Sequence, residues 1–267
     1  MNSLIGRELR VSPAPLVATE PAIVLENVSV RYRAPEERLV TFKEYAIRRL
    51  QRSVHYTDFY ALEGVSMQVG KGEVFGIIGR NGAGKSTLLK VISRVLAPTS
   101  GRVRIWGRVS PLLELGAGFH PELTGRENIF LNGTLLGHSH REIEARLEHI
   151  LAFAELGRFV DAPLRTFSSG MTARLGFAVA TAWQPEVLIL DEVLSVGDEA
   201  FRAKCLARMD EFRQAGATIL LVTHDMSTVI AMCSRALWLE RGRLCSAGPA
   251  ADVIEAYQQS DPTPILA

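Results

Sequence analysis

The run Gly79-Arg80-Asn81-Gly82-Ala83-Gly84-Lys85-Ser86-Thr87 holds the pattern GxxxxGK[ST], with an apolar stretch before it and a helix-patterned one after it. Glycines let the backbone curl until successive N–H groups point inward on an anion, and the N-terminus of the following helix adds partial positive charge. Such a cradle, from Gly79 through Asn81, Gly82, Ala83 and Gly84, suits the β- and γ-phosphates of a nucleotide. Lys85 supplies a point charge, and Ser86 a hydroxyl ligand for Mg²⁺, with Thr87 beside it. Downstream, VLILDE (187–192) carries Asp191 to the end of a buried strand, where ligands of open α/β sheets sit. Asp191 can hold Mg²⁺, directly or through water. Glu192 is placed to orient and deprotonate an attacking water, the task of a general base. A bare Gly-rich turn or a plain strand end would explain either motif alone. Together they point to nucleotide hydrolysis.

Such groups need a sheet to aim them. AIVLENVSVRY (22–32), VSMQV (65–69), EVFGIIG (73–79) and VRIWG (103–107) read as strands, and GKSTLLKVISRVL (84–96) as a helix. From Leu123 to Trp183 the period becomes helical, with Ile143, Leu147, Ile150, Leu151 and Ala154 on one face. The short apolar runs VLIL (187–190) and TILLV (218–222), with a helix-patterned segment (199–214) between them, imply parallel pairing inside an α/β sheet. A hairpin of ALWLE and RLCSAG turns at Arg241-Gly242, and a last helix runs near Ala251–Gln259.

Composition narrows the function. Thirty basic and 29 acidic side chains give a formal charge of +1, so no global field favours nucleic acid or anionic membrane. Cys205, Cys233 and Cys245 form no CxxC pair, which argues against a disulfide framework or zinc ribbon. Arg7, Glu8 and Arg10 interrupt any signal-peptide core, and 18 consecutive apolar residues occur nowhere. Residues 1–21 and 259–267 read as loosely held ends. EERLVTFKEYAIRRLQRS (36–53) sets Leu39, Phe42, Ala46 and Leu50 on one helical face amid Arg38, Lys43, Arg48, Arg49 and Arg52. It is either an ordinary amphipathic surface helix or a basic docking element.

Further motifs separate the classes of nucleotide hydrolase. FSSGM (167–171) resembles the ABC signature usually written LSGGQ, SVGD (195–198) stands where the D-loop belongs, and His224 follows TILLV at the switch-histidine place. In this order, with a helical insertion (123–183), the motifs resemble an ABC nucleotide-binding domain over residues 22–258. The resemblance implies an α/β P-loop NTPase fold with a mostly parallel core sheet, an antiparallel β lobe and a helical subdomain. It implies that Lys85 and Ser86 cradle ATP with Mg²⁺ while Ser168 and Gly170 of a second copy close over the γ-phosphate, the two chains stacking head to tail. Glu192, His224 and Lys85 become the catalytic set, and Asp198 the D-loop contact at the nucleotide. Tyr32 matches the aromatic that stacks on adenine, with Tyr60 the alternative.

The departures resemble a narrower branch. The loop that should carry a Gln reads PLLELGAGFHPELTGREN (111–128), with Glu114 nearest the place for Mg²⁺ and nucleotide. With SSGM and the 36–53 segment, this looks like the ATPases that export O-antigen, capsule and teichoic acid. The implied partner is a membrane-spanning permease docking near Glu114–Asn128, which would hold the chain peripherally at the cytoplasmic face of the inner membrane. Some O-antigen members add a C-terminal carbohydrate-binding domain, for which the chain stops too soon after its last helix. A lipid or drug exporter is the alternative cargo class. A soluble ABC protein of DNA repair or the ribosome would show a long coiled-coil insertion or two motif sets.

Overall fold

The computed structural model describes residues 20–35, 56–112, 116–191 and 198–260. The amphipathic reading of 36–53, the two chain ends, Glu114, Glu192 and the first three residues of SVGD lie outside the described residues.

The described strands form two sheets. β1 (Pro21–Pro35), β2 (Tyr56–Gly70) and β4 (Ser100–Ile105) pair antiparallel in the order β2-β1-β4. β3 (Val74–Ile78), β5 (Val109–Leu112), β6 (Val187–Asp191), β7 (Thr218–Val222), β8 (Arg235–Glu240) and β9 (Arg243–Pro249) form the second, in the order β5-β6-β7-β3-β8-β9. Neighbours in it run parallel, except that β9 returns antiparallel beside β8.

The central strands are apolar on both faces because both faces are covered. Phe75, Ile77, Val187, Ile189, Leu220 and Val222 share one core with Ile23, Leu62 and helix α1 (Lys85–Ile92). Val74, Ile78, Leu188, Leu190, Ile219 and Leu221 share another with Phe177 of α4 (Ser169–Ala180), Phe201 of α5 (Glu199–Gln214), Val229 of α6 (Met226–Met232) and Val253 of α7 (Ala250–Gln259). The pleat's two-residue period sorts each strand between the two cores.

The helical lobe is α2 (Gly125–Leu135), α3 (His140–Ala154) and α4, with short 3₁₀ turns at Gly157–Asp161 and Leu164–Thr166. Thr124 with Glu127, and Ser139 with Glu142, form capping boxes that satisfy the first N–H groups of α2 and α3. Ile143, Ile150 and Ala154 are fully buried, as their helical spacing predicts. Among the described residues no helix is long and apolar enough to cross a membrane.

Two elements differ from the sequence expectation. The helix read over 84–96 ends at Ile92, because Arg94 takes a left-handed backbone (φ 59°) and its guanidinium donates to the Ile105 carbonyl at 3.1 Å. Val109–Leu112, whose last two residues opened the predicted loop, instead pairs with β6 as a parallel edge strand. Pro111 is tolerated there because an edge strand can spare one ladder N–H.

Candidate functional site

A cleft of about 740 Å³ opens at the carboxyl ends of β3, β6 and β7. Register sets Ile77, Val222 and Asp191 level across these three strands, so the loop after β3, Asp191 and His224 all emerge on one edge. Asn81, Gly82, Ala83, Gly84, Lys85, Ser86 and Thr87 line it together with Asp191 and His224.

Steric closeness explains two of the glycines. Gly79 (φ 148°) leaves no room for a Cβ, which would collide with the Leu239 carbonyl on β8. Gly84 (φ 105°) caps α1, and a Cβ there would come within 2.5 Å of the Ala61 carbonyl on β2. The hairpin turn then locks the loop from a third direction: the Gly242 N–H donates to the Ala83 carbonyl (2.9 Å), and the Glu63 N–H to the Gly242 carbonyl (2.8 Å). Arg243 pairs with Glu63 at 2.7 Å. Arg241, read in the sequence as a turn residue, therefore lines the cleft together with Gly242.

Lys85 is 8% exposed, and its ammonium donates to the Gly79 (2.6 Å) and Arg80 (3.1 Å) carbonyls. Charge-assisted bonds to fixed carbonyls hold a buried cation at the loop's centre. Ser86 and Asp191 bring a hydroxyl and a carboxylate to the same cleft, the hard oxygen donors that suit Mg²⁺. Behind His224, Asp225 caps α6 by accepting from Ser227 and Thr228, whose hydroxyls lower its carboxyl to about 2.

The aromatic wall is broader than the sequence suggests. Tyr32 stacks on Phe59 with ring centroids 5.4 Å apart, and both line the cleft with Tyr60. The two rings are direct cross-strand partners of β1 and β2. Phe59 was missed because the pairing crosses the 36–53 insertion, although its place beside Tyr60 was a signal.

Other predicted residues lie elsewhere. Ser168 caps α4 by accepting from the Met171 N–H (3.2 Å), and Gly170 follows in the first turn. Neither lines the cleft. Asp198 caps α5 with one carboxylate oxygen and accepts from Arg174 with the other, so the structure does not bring it to the cleft either. The Phe201 N–H, and then Arg174, hold its carboxyl below the usual range. Downstream of position 114, buried Asn128 donates to the His120, Leu123 and Thr124 carbonyls and accepts from the His120 N–H, tying the loop to α2.

Residues 62–195 match the family described as ABC transporter. The O-antigen export system ATP-binding protein RfbB of Klebsiella pneumoniae is 47% identical over 243 residues, covering 90% of this chain and 99% of that protein. The teichoic acids export ATP-binding protein TagH of Lactococcus lactis subsp. lactis is 46% identical over 202 residues, 76% of this chain. That alignment covers 43% of TagH, so this chain spans less than half the length of that relative. A dimeric ATP-binding cassette solved in a post-hydrolysis state with ADP and Pi superposes with a TM-score of 0.67 at 24% identity, over 85% of this chain and 98% of that one. The likeness is one of fold.

Proposed function

This chain belongs to the ABC transporter family, and on that premise we propose that it is the ATP-hydrolysing subunit of an exporter moving a lipid-linked polysaccharide of the O-antigen or teichoic-acid class across the cytoplasmic membrane. The observation that carries the ATPase reading is the single cleft in which Lys85, Ser86, Asp191 and His224 meet an aromatic wall. The cargo reading rests on the relatives that export these glycans.

In this reading the N–H groups of the loop and the Lys85 ammonium bind the phosphates, and the Tyr32–Phe59 pair, with Tyr60 beside it, carries the adenine face. Ser86 and Asp191 would hold Mg²⁺, with Glu114 as a further oxygen donor. Bound there, the ion neutralises charge on the transferred phosphoryl group. Glu192, one residue beyond Asp191, takes a proton from the attacking water, and His224 holds the γ-phosphate end of the nucleotide.

The second copy enters through Ser168 and Gly170. A Cβ on Gly170 would meet nothing closer than the Ser168 hydroxyl at 3.8 Å, so the fold of one chain does not require glycine there. A nucleotide held by a head-to-tail partner supplies that requirement. In this reading the permease docks near Glu114–Asn128, where Leu135 (64% exposed), whose side chain lies against Gly118, leaves apolar surface for a coupling element.

The test is to recover the membrane protein that co-purifies with the chain in mild detergent and to delete it. Accumulation of lipid-linked glycan inside the cell supports the cargo. A permease of another class with glycan unaffected would leave the ATPase and overturn the cargo, returning a lipid or drug exporter as the alternative.

A further inference from the structure

Arg174 ties three helices, α3, α4 and α5, through a single side chain. It lies on α4, six residues beyond Ser168, so its Cα and that of the cap are about 9 Å apart along the helix axis. One nitrogen donates to Asp198 at 2.6 Å and another to Glu155 at 3.4 Å. Asp198 opens α5 at the end of SVGD, and Glu155 closes α3 in the helical lobe. The guanidinium carbon also sits 4.7 Å from the centre of the Phe201 ring.

The cation is largely covered, although its carboxylate partners Asp198 and Glu155 are each more than half exposed. The Arg174 side chain is 19% exposed, and its planar fork is fixed by a carboxylate at each side and an aromatic ring. Lys204 extends the network, donating to Glu155 (2.8 Å) and to the last carbonyls of α3, including Phe153 (3.1 Å). Both oxygens of Asp198 are engaged within its own chain, one by Arg174 and one by the Phe201 N–H. Asp198 thus acts on the signature helix of its own chain.

We propose that Arg174 is a positioning residue for hydrolysis, which locks the signature helix to Asp198 at the start of α5 so that Ser168 and Gly170 are presented to the partner's nucleotide. The inference rests on the head-to-tail reading. It assigns Arg174 and Asp198 one shared task, in which loss of either partner loses the whole coupling.

The experiment is a double-mutant cycle on the full chain, with steady-state ATP hydrolysis and ATP binding measured separately. Asp198→Asn retains an oxygen to cap α5 while losing the ion pair. Arg174→Gln and Asp198→Asn are each expected to lower kcat about tenfold with KM within about twofold, and the double variant to be no worse than either single. Arg174→Lys, which keeps the charge without the fork, is expected to fall with Arg174→Gln and serves should the latter fail to fold. Variants whose losses multiply, or a kcat unchanged in Arg174→Gln, would overturn the proposal while leaving the ATPase reading standing. A wild-type chain without ATP turnover would overturn that reading and this inference together.

Discussion

At the scale of single residues, the loop that begins at Gly79 shows how much of a site can be stated before any fold is known. Lys85, Ser86, Asp191 and His224 are each legible from type and spacing, because phosphate and Mg²⁺ demand particular donors at particular strand ends. The cleft collects those four. Phe59 and Arg241 were not legible, since what brings them in is the β1–β2 register and the tie from Gly242 to Ala83. Two predictions belong here. Lys85→Ala should weaken ATP binding at least tenfold, as loss of a buried charge-assisted contact of about 1.5–3 kcal/mol implies, measured by fluorescence of a labelled nucleotide; unchanged affinity would remove Lys85 from the phosphate. Gly84→Ala should lower both melting temperature and nucleotide affinity, because its Cβ meets the Ala61 carbonyl at 2.5 Å and its φ of 105° is strained for any side chain. A Gly84→Ala protein with wild-type binding would mean that β2 yields where the fold says it cannot.

Elements were legible where one period held over many residues. Ile143, Ile150 and Ala154 repeat at helical spacing, and α3 forms between the Ser139 cap and Glu155. Short elements escaped: β5 is four residues containing a proline, and α1 stops early because a backbone reversal at Arg94 is invisible to periodicity. Capping at α6 gives a pH prediction. Asp225 has its folded pKa lowered from 3.8 to about 2 by the hydroxyls of Ser227 and Thr228. A depressed carboxylate contributes stability that is full above its unfolded pKa and is lost as pH falls through its folded one. The melting-temperature gap between wild type and Asp225→Ala should therefore be constant above about pH 5 and close between about 4 and 2. A gap that persists at pH 2 would show that shape, not charge, holds the helix behind His224. In the same core, burial pushes the Cys205 and Cys233 thiols up to about 12, so neither is expected to react with a thiol reagent at pH 7 while the chain is folded.

For the molecule as a whole, the decisive position is one where the monomer asks for nothing. Gly170 sits in the first turn of α4 with ordinary space around its missing Cβ, whereas Gly84 is walled in by its own fold. Alanine is the better helix former by up to about 1 kcal/mol, so Gly170→Ala should leave the melting temperature equal or higher. Its effect should appear only when two chains meet over nucleotide. In a Glu192→Gln background, where hydrolysis is expected to stall and ATP to hold the dimer together, size-exclusion chromatography with ATP should give a dimer. Adding Gly170→Ala should return the monomer while leaving ATP affinity of the single chain within about twofold. Were the Gly170→Ala protein to dimerise and, with Glu192 restored, to turn over ATP like the wild type, the signature would have no place at the nucleotide, and the Arg174 strut would position a helix that faces no partner.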